Sequence, residues 1–261
     1  MEVDIDDALE LFPNFIGYEG DAPSHIDEYD NLKPLPGYES VWNGEKPHWI
    51  EVLQKKYELQ IHHRKYNVFL SYPSKNIHNK SKTNDFFDEC IMKIYVWLFI
   101  SHYYSKQDCS KTMNINIYFS SHKKIIDSGV VLDSLHVNSA FTTSCKQDTQ
   151  LCLYRKEEWF KVFIHETFHN LGFDFSDANE TDLNRFMGQL FQVDGNNDLR
   201  IYETYCEVWA EILNCFFLSF FQCEDKNECR KMFYNTLKKQ IIFCVKPKGQ
   251  PSSSSGICIV F

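Results

Sequence analysis

The chain predicts an α+β fold: a small mixed or antiparallel sheet, then a helix with two histidines one turn apart, then a helical C-terminal lobe. Three features carry this expectation. Asn114–Ser120 (NINIYFS) alternates and is rich in β-formers, as a half-buried strand should. Residues 157–171 set Phe160, Phe163, Ile164, Phe168 and Leu171 at helical spacing, and Gly172 follows where a left-handed C-cap is expected. Residues 181–192, 198–222 and 225–243 then keep a helical period.

Taken in order, residues 1–47 read as an extended acidic leader broken by Pro13, Pro23, Pro34, Pro36 and Pro47. Residues 1–32 hold ten acids and no Lys or Arg, whereas the whole chain has 36 acids and 27 bases, a net charge of −9. The body is therefore nearly neutral, and nothing in it has the concentrated basic charge of a nucleic-acid binder. The leader 1–32 is a candidate for a partner, with LFPNFIGY at 11–18 as a docking or inhibitory segment. Residues 48–245 form the predicted domain, opening with a helix over 48–62 and a second over 85–104. After the 114–120 strand come shorter strand candidates at Val130–Leu132, His136–Thr143 and Leu151–Tyr154. Asp198 and Asp225 are placed to cap the later helices. Residues 246–261 are a linker (PSSSSG at 251–256) and an apolar tail.

The ten cysteines read as reduced thiols, several inside apolar segments such as CFFLSFF at 215–221. An acidic N-terminus with no apolar h-region predicts no secretory signal, and no apolar run is long enough to span a bilayer. A cytoplasmic, intracellular chain is the expectation.

The chemistry lies in His165-Glu166-Thr167-Phe168-His169, an HExxH motif. Helix positions i and i+4 share a face, so both imidazoles can bind one ion. Glu166 sits roughly 100° round the helix from His165, beside that ion. Neutral imidazoles with a carboxylate suit an open catalytic zinc site. The bland alternative is a pair of surface histidines on one helical face.

This motif in its apolar helix resembles the zincin superfamily of metallopeptidases, over about residues 110–220. The resemblance implies two lobes, a sheet with helices above and a helical lobe below, with the metal between. The metzincin form HExxHxxGxxH needs a ligand where this chain has Phe175; Asp174 and Asp177 are out of register, and Gly172 is then the helix stop. The gluzincin form needs a Glu on a later helix with an acid four residues on. Glu203, Glu207 and Glu211 supply that row at i, i+4 and i+8. Two registers fit: Glu203 as ligand with Glu207 behind it, or Glu207 with Glu211 behind it. The second is preferred, because Glu207-Val-Trp-Ala210-Glu211 is similar to the family's ExxA(D/E) form. Glu211 would then accept a hydrogen bond from the far nitrogen of a liganding His. Without a cation the row is a solvated, mutually repulsive acidic face. His136–Phe141 is similar to an edge strand on which such enzymes lay an extended substrate, which implies substrate contacts at Asn138 and Ala140.

The expected function is zinc-dependent hydrolysis of a protein or peptide substrate, endopeptidase or carboxypeptidase not distinguished. One Zn2+ is held by His165, His169 and Glu207 (or Glu203), and Glu166 is the general base. Tyr202, Tyr205 and His136 are candidates to stabilise an oxyanion. The alternatives are a catalytically silent zincin-like structural or assembly protein, for example a viral component, and a zinc hydrolase of a non-peptide amide. DGNND at 194–198 begins like a calcium loop, but Leu199 and Tyr205 stand where Gly and Glu are needed. Cys258-Ile-Val-Phe261 has the form of a prenylation box, and membrane association is expected only if Cys258 is prenylated.

Overall fold

The structure is a computed structural model, and it describes residues 20–21, 52–73, 77–120, 139–178, 181–192 and 200–245. Strands and helices are both well represented, so the fold is α+β. The chain divides into two compact units, Met1–Phe173 and Asp174–Phe261.

The first unit is a six-stranded mixed sheet in the order β1-β2-β3-β4-β6-β5. Its strands are β1 (Gly20–Asp21), β2 (Val52–Ile61), β3 (Arg64–Pro73), β4 (Thr112–Tyr118), β5 (Ala140–Thr142) and β6 (Asp148–Leu153). Helix α1 (Lys80–His102) joins β3 to the parallel β4, a β-α-β crossover. β4 and β6 are also parallel, and β5 returns antiparallel to β6 as the sheet's edge. α2 (Trp159–Leu171) follows β6 and packs on β5 and β6. At the opposite edge Gly20 and Asp21, from the acidic leader, pair with Lys56 and Lys55 of β2.

The helix expected over 48–62 is instead strand β2, paired with β3 through a two-residue turn at His62-His63. A spacing of four, as between Leu53 and Tyr57, fits a strand as well as a helix. Leu59 and Ile61 break the tie, because Tyr57, Leu59 and Ile61 are buried with a period of two. β3 buries Tyr66, Val68 and Leu70 in the same way. Pairing along all ten residues of each strand then bonds the backbone groups that the two strands turn toward each other. The core is closed by Met113, Ile115 and Ile117 of β4, Leu151 and Leu153 of β6, Phe87, Ile94 and Leu98 of α1, and Phe163 and Ile164 of α2. α1 begins earlier than its apolar face announces, because Asn79 caps it by accepting from the Lys82 amide at 3.3 Å.

The thiol reading needs one correction. Cys109 and Cys145 form a disulfide. They are 36 residues apart in sequence, but the loop after α1 abuts the β5–β6 turn and brings their Cα atoms to 4.8 Å, within bridging range. Cys90, Cys152, Cys206 and Cys215 are free and buried, as expected. Burial pushes the Cys152 thiol up to about 12 and the Cys215 thiol up to about 11, the latter aided by the nearby Glu211 charge.

The second unit contains α3 (Thr181–Phe191), α4 (Ile201–Phe220) and α5 (Lys226–Val245). α4 and α5 pack together, with Phe216 edge-on to Phe233. Asp225 caps α5, its Oδ2 accepting from the Asn227 and Glu228 amides at 2.9 and 3.0 Å. Among the described residues no helix is long and apolar enough to cross a membrane. LFPNFIGY, Val130–Leu132, His136, Asn138, residues 194–198 and residues 246–261 lie outside the described residues.

Candidate functional site

α2 is too short to be stable alone, and its neighbours hold it. Phe163, Ile164 and Leu171 are fully buried. Thr167, also fully buried, accepts from Trp97 Nε1 of α1 at 2.7 Å. Its hydroxyl donates back within the helix, to Phe163 O or Ile164 O at 2.9 and 2.8 Å. Trp97 and Phe168 stack nearly parallel at 6.1 Å.

The C-terminal end is clamped from two sides. Asn170 Nδ2 donates to Thr143 O at 2.6 Å, in the turn after β5. Ser110 Oγ donates to Asn170 O at 2.8 Å, and the Lys106 amide donates to Leu171 O at 3.1 Å. The helix then stops as predicted. Gly172 is left-handed at φ 69°, its amide donates to His169 O, and the Phe173 amide donates to Phe168 O at 2.9 Å, the paired bonds of a Schellman motif. Gly is required twice over, because a Cβ there would stand 2.8 Å from Lys106 Cδ and 2.9 Å from Cys109 Sγ.

The remaining side of the helix carries the motif. His165 and Glu166 are half-buried and His169 is buried. The two imidazoles meet edge to face, with Nε2 of each 3.3 Å from Nε2 of the other. Two nitrogens at tetrahedral angles on one zinc, each about 2.0–2.1 Å away, would be about 3.3 Å apart. A well-formed direct hydrogen bond between them would be shorter, near ~2.9–3.0 Å. The Nε2 pair therefore fits two ligands of one ion.

In the second unit α4 places its acids contrary to a solvated face. Glu203, Glu207 and Glu211 are half-buried, on the side of the helix that buries Cys206 and Ala210. Solvent instead meets Tyr205, Val208 and Trp209, which are 37%, 52% and 41% exposed. An ordinary amphipathic helix has the opposite order. Both registers, Glu203 with Glu207 and Glu207 with Glu211, lie in this half-buried row. Glu211 also accepts a long hydrogen bond from Cys215 Sγ at 3.8 Å. Of the oxyanion candidates, Tyr202 is half-buried, and Tyr205 is exposed with its ring edge-on to Phe175 and Trp209. Ala140 is buried at the start of β5, so the expected substrate strand is an edge strand; Asn138 is outside the described residues.

Sequence reasoning missed Thr167 and Asn170, the polar residues that orient the motif helix. The available signal was two small polar residues on a face otherwise filled by Phe163, Phe168 and Leu171. It also set aside Asp174, which is a buried acid. Compared with family models, with curated proteins and with solved structures, the chain has no match in any of the three.

Proposed function

We propose that the chain is a zinc-dependent metallopeptidase. His165 and His169 hold the ion, and a carboxylate of the α4 row, Glu207 or Glu203, completes the set. The observation that carries this reading is the 3.3 Å approach of the two Nε2 atoms on a helix fixed in its middle and at its C-terminal end. The half-buried acids of α4 support it, because a row of carboxylates offers the oxygen ligand that two imidazoles leave to be supplied in an open zinc site. The chemistry zinc supplies is Lewis acidity, which brings the pKa of a water toward neutrality and polarises a carbonyl. Glu166, one residue from the first ligand, takes the proton of that water on its carboxylate and hands it to the leaving amine. An extended peptide would add along β5, the last strand of the sheet among the described residues, pairing backbone to backbone. An intracellular setting belongs to the same reading; the four free buried thiols fit it, and the Cys109–Cys145 disulfide does not.

The test measures zinc content and hydrolysis of a peptide library side by side. Glu166→Gln keeps zinc and loses hydrolysis, while His165→Ala loses both. Of Glu203→Ala and Glu207→Ala, the one that loses zinc names the third ligand. A zinc-replete wild type that cleaves no peptide would leave the zincin-like structural role, and undiminished hydrolysis by Glu166→Gln would remove the mechanism.

A further inference from the structure

Two arginines are buried among the described residues, and their surroundings differ sharply. Arg64 donates from Nε, Nη1 and Nη2, to Cys109 O at 3.2 Å, Ser105 Oγ at 2.6 Å and Lys106 O at 2.7 Å. Arg155 is 6% exposed, yet its Nε and Nη1 are buried with no hydrogen-bond partner among the described residues. The acids next to it in sequence do not serve it: Glu157 and Glu158 are exposed, and Glu158 pairs with Lys161 at 3.9 Å. A guanidinium stays charged at any working pH, so idle buried donors are a cost that an anion relieves. The place of Arg155 in the fold says which anion. It stands two residues past Leu153, the end of β6. Leu153 is paired with Ala140 of β5, and the Tyr154 amide donates to Ser139 O at 3.2 Å. Arg155 is therefore at the Ala140 end of β5, the strand along which the peptide is laid in the proposed function. α2 starts four residues later, at Trp159, and runs back along β6, since its Asn170 reaches Thr143 at the far end of β5. A peptide added antiparallel to β5 points its C-terminus toward Arg155.

We infer that Arg155 receives the free C-terminal carboxylate of the peptide substrate. Its planar fork of donors matches the two oxygens of a carboxylate. The inference rests on the peptidase reading and narrows it to an exopeptidase acting at the C-terminus. His165 is six residues into α2 from Trp159, about 9 Å along the axis, the length of two or three extended residues. The bond presented there is two or three residues from the free end. One water adds across it, hydroxyl to the carbonyl carbon and hydrogen to the leaving nitrogen, which releases a short C-terminal peptide.

The experiment makes one peptide library in two forms, as free acids and as C-terminal amides. Retention of each is measured on immobilised full-chain Glu166→Gln loaded with zinc, so that nothing is turned over. Free acids should be held at least about tenfold more tightly than amides, and adding Arg155→Gln should equalise the two. Should Arg155→Gln not fold, Arg155→Lys decides, since losing the fork should cut the acid-to-amide ratio several-fold. Equal retention of the two forms overturns the inference, and so does a preference that survives the change at Arg155. In the first case Asp127 and Asp133, outside the described residues, become the test of a partner within the chain. A urea midpoint lowered by Asp127→Asn or Asp133→Asn, but not in an Arg155→Gln background, would name it. Wild-type hydrolysis separates this inference from the reading beneath it. Acids and amides cleaved at equal rates keep the peptidase and remove the carboxylate receptor. An acid preference that depends on Arg155, with no peptide cleaved, keeps the receptor and removes the peptidase.

Discussion

Substituting Gly172 by Ala tests how the motif helix is held. At φ 69° an L-residue costs about 1–2 kcal/mol relative to glycine. The new Cβ also meets two atoms, Lys106 Cδ at 2.8 Å and Cys109 Sγ at 2.9 Å. The lysine carbon belongs to a flexible side chain and can swing away. The sulfur cannot, because Cys109 is fully buried and bridged to Cys145. Overpacking of that kind adds about 1–3 kcal/mol. The expected total is about 2–5 kcal/mol, read from urea unfolding of the full chain in chelator so that metal does not contribute. A cycle separates the two parts. In a Cys109→Ala/Cys145→Ala background the sulfur is gone, and Gly172→Ala should cost only the backbone part, about 1–2 kcal/mol. Equal costs in the two backgrounds would show that the sulfur is not what the Cβ meets. A total under about 1 kcal/mol would refute the left-handed cap itself.

Thr167→Val keeps the shape of the side chain and removes the acceptor for Trp97 Nε1, so unfolding should become easier by about 1–3 kcal/mol; a neutral result would mean the indole bond is not formed. His102 is held neutral, its pKa lowered to about 4 by burial first, then by His62, Arg64 and His63. A histidine with a depressed folded pKa contributes stability that is complete above about pH 6.5 and is lost as pH falls from there through about 4. The loss should reach up to about 3 kcal/mol in wild type and be flattened in His102→Gln, and parallel pH profiles for the two proteins would contradict it. Removing the disulfide, which spans 36 residues, should cost about 4 kcal/mol of global stability beyond its local effect, measured by the urea midpoint of Cys109→Ala/Cys145→Ala.

What could be read from sequence followed from short-range periodicity. α2, α4 and α5 each declare themselves by helical spacing, and Gly172 and Asp225 by the backbone needs of helix ends. β2 was read as a helix because a spacing of four belongs to both periods, and β3 went unread although Tyr66, Val68 and Leu70 alternate plainly once a partner strand is known. The disulfide was not legible, since it depends on a turn and a loop meeting across 36 residues. For the site, spacing alone paired His165 with His169 and aligned Glu203, Glu207 and Glu211. It could not say that those acids are half-buried while Val208 and Trp209 face water, because burial is set by the packing of other elements. Thr167 and Asn170 were invisible for the same reason: their partners lie 70 and 27 residues away.

These two positioning residues explain how a thirteen-residue helix can hold two imidazoles in one fixed arrangement. Helical geometry alone puts two imidazoles on one face, but it leaves each ring free about its side-chain torsions and leaves the helix free to roll. A roll of one helix position is about 100°, enough to turn His165 away altogether. Thr167 on Trp97 stops the roll in mid-helix, and Asn170 between Thr143 and Ser110 stops it at the end. Both bonds leave from the buried side, so neither competes with the motif for the side carrying His165 and His169. The ordering entropy of the ligands is thereby met during folding, by contacts that do not involve an ion. A site prepared in this way should bind zinc with little change in the exchange rates of α2, whereas Thr167→Val and Asn170→Ala should weaken zinc binding although neither residue can touch the ion.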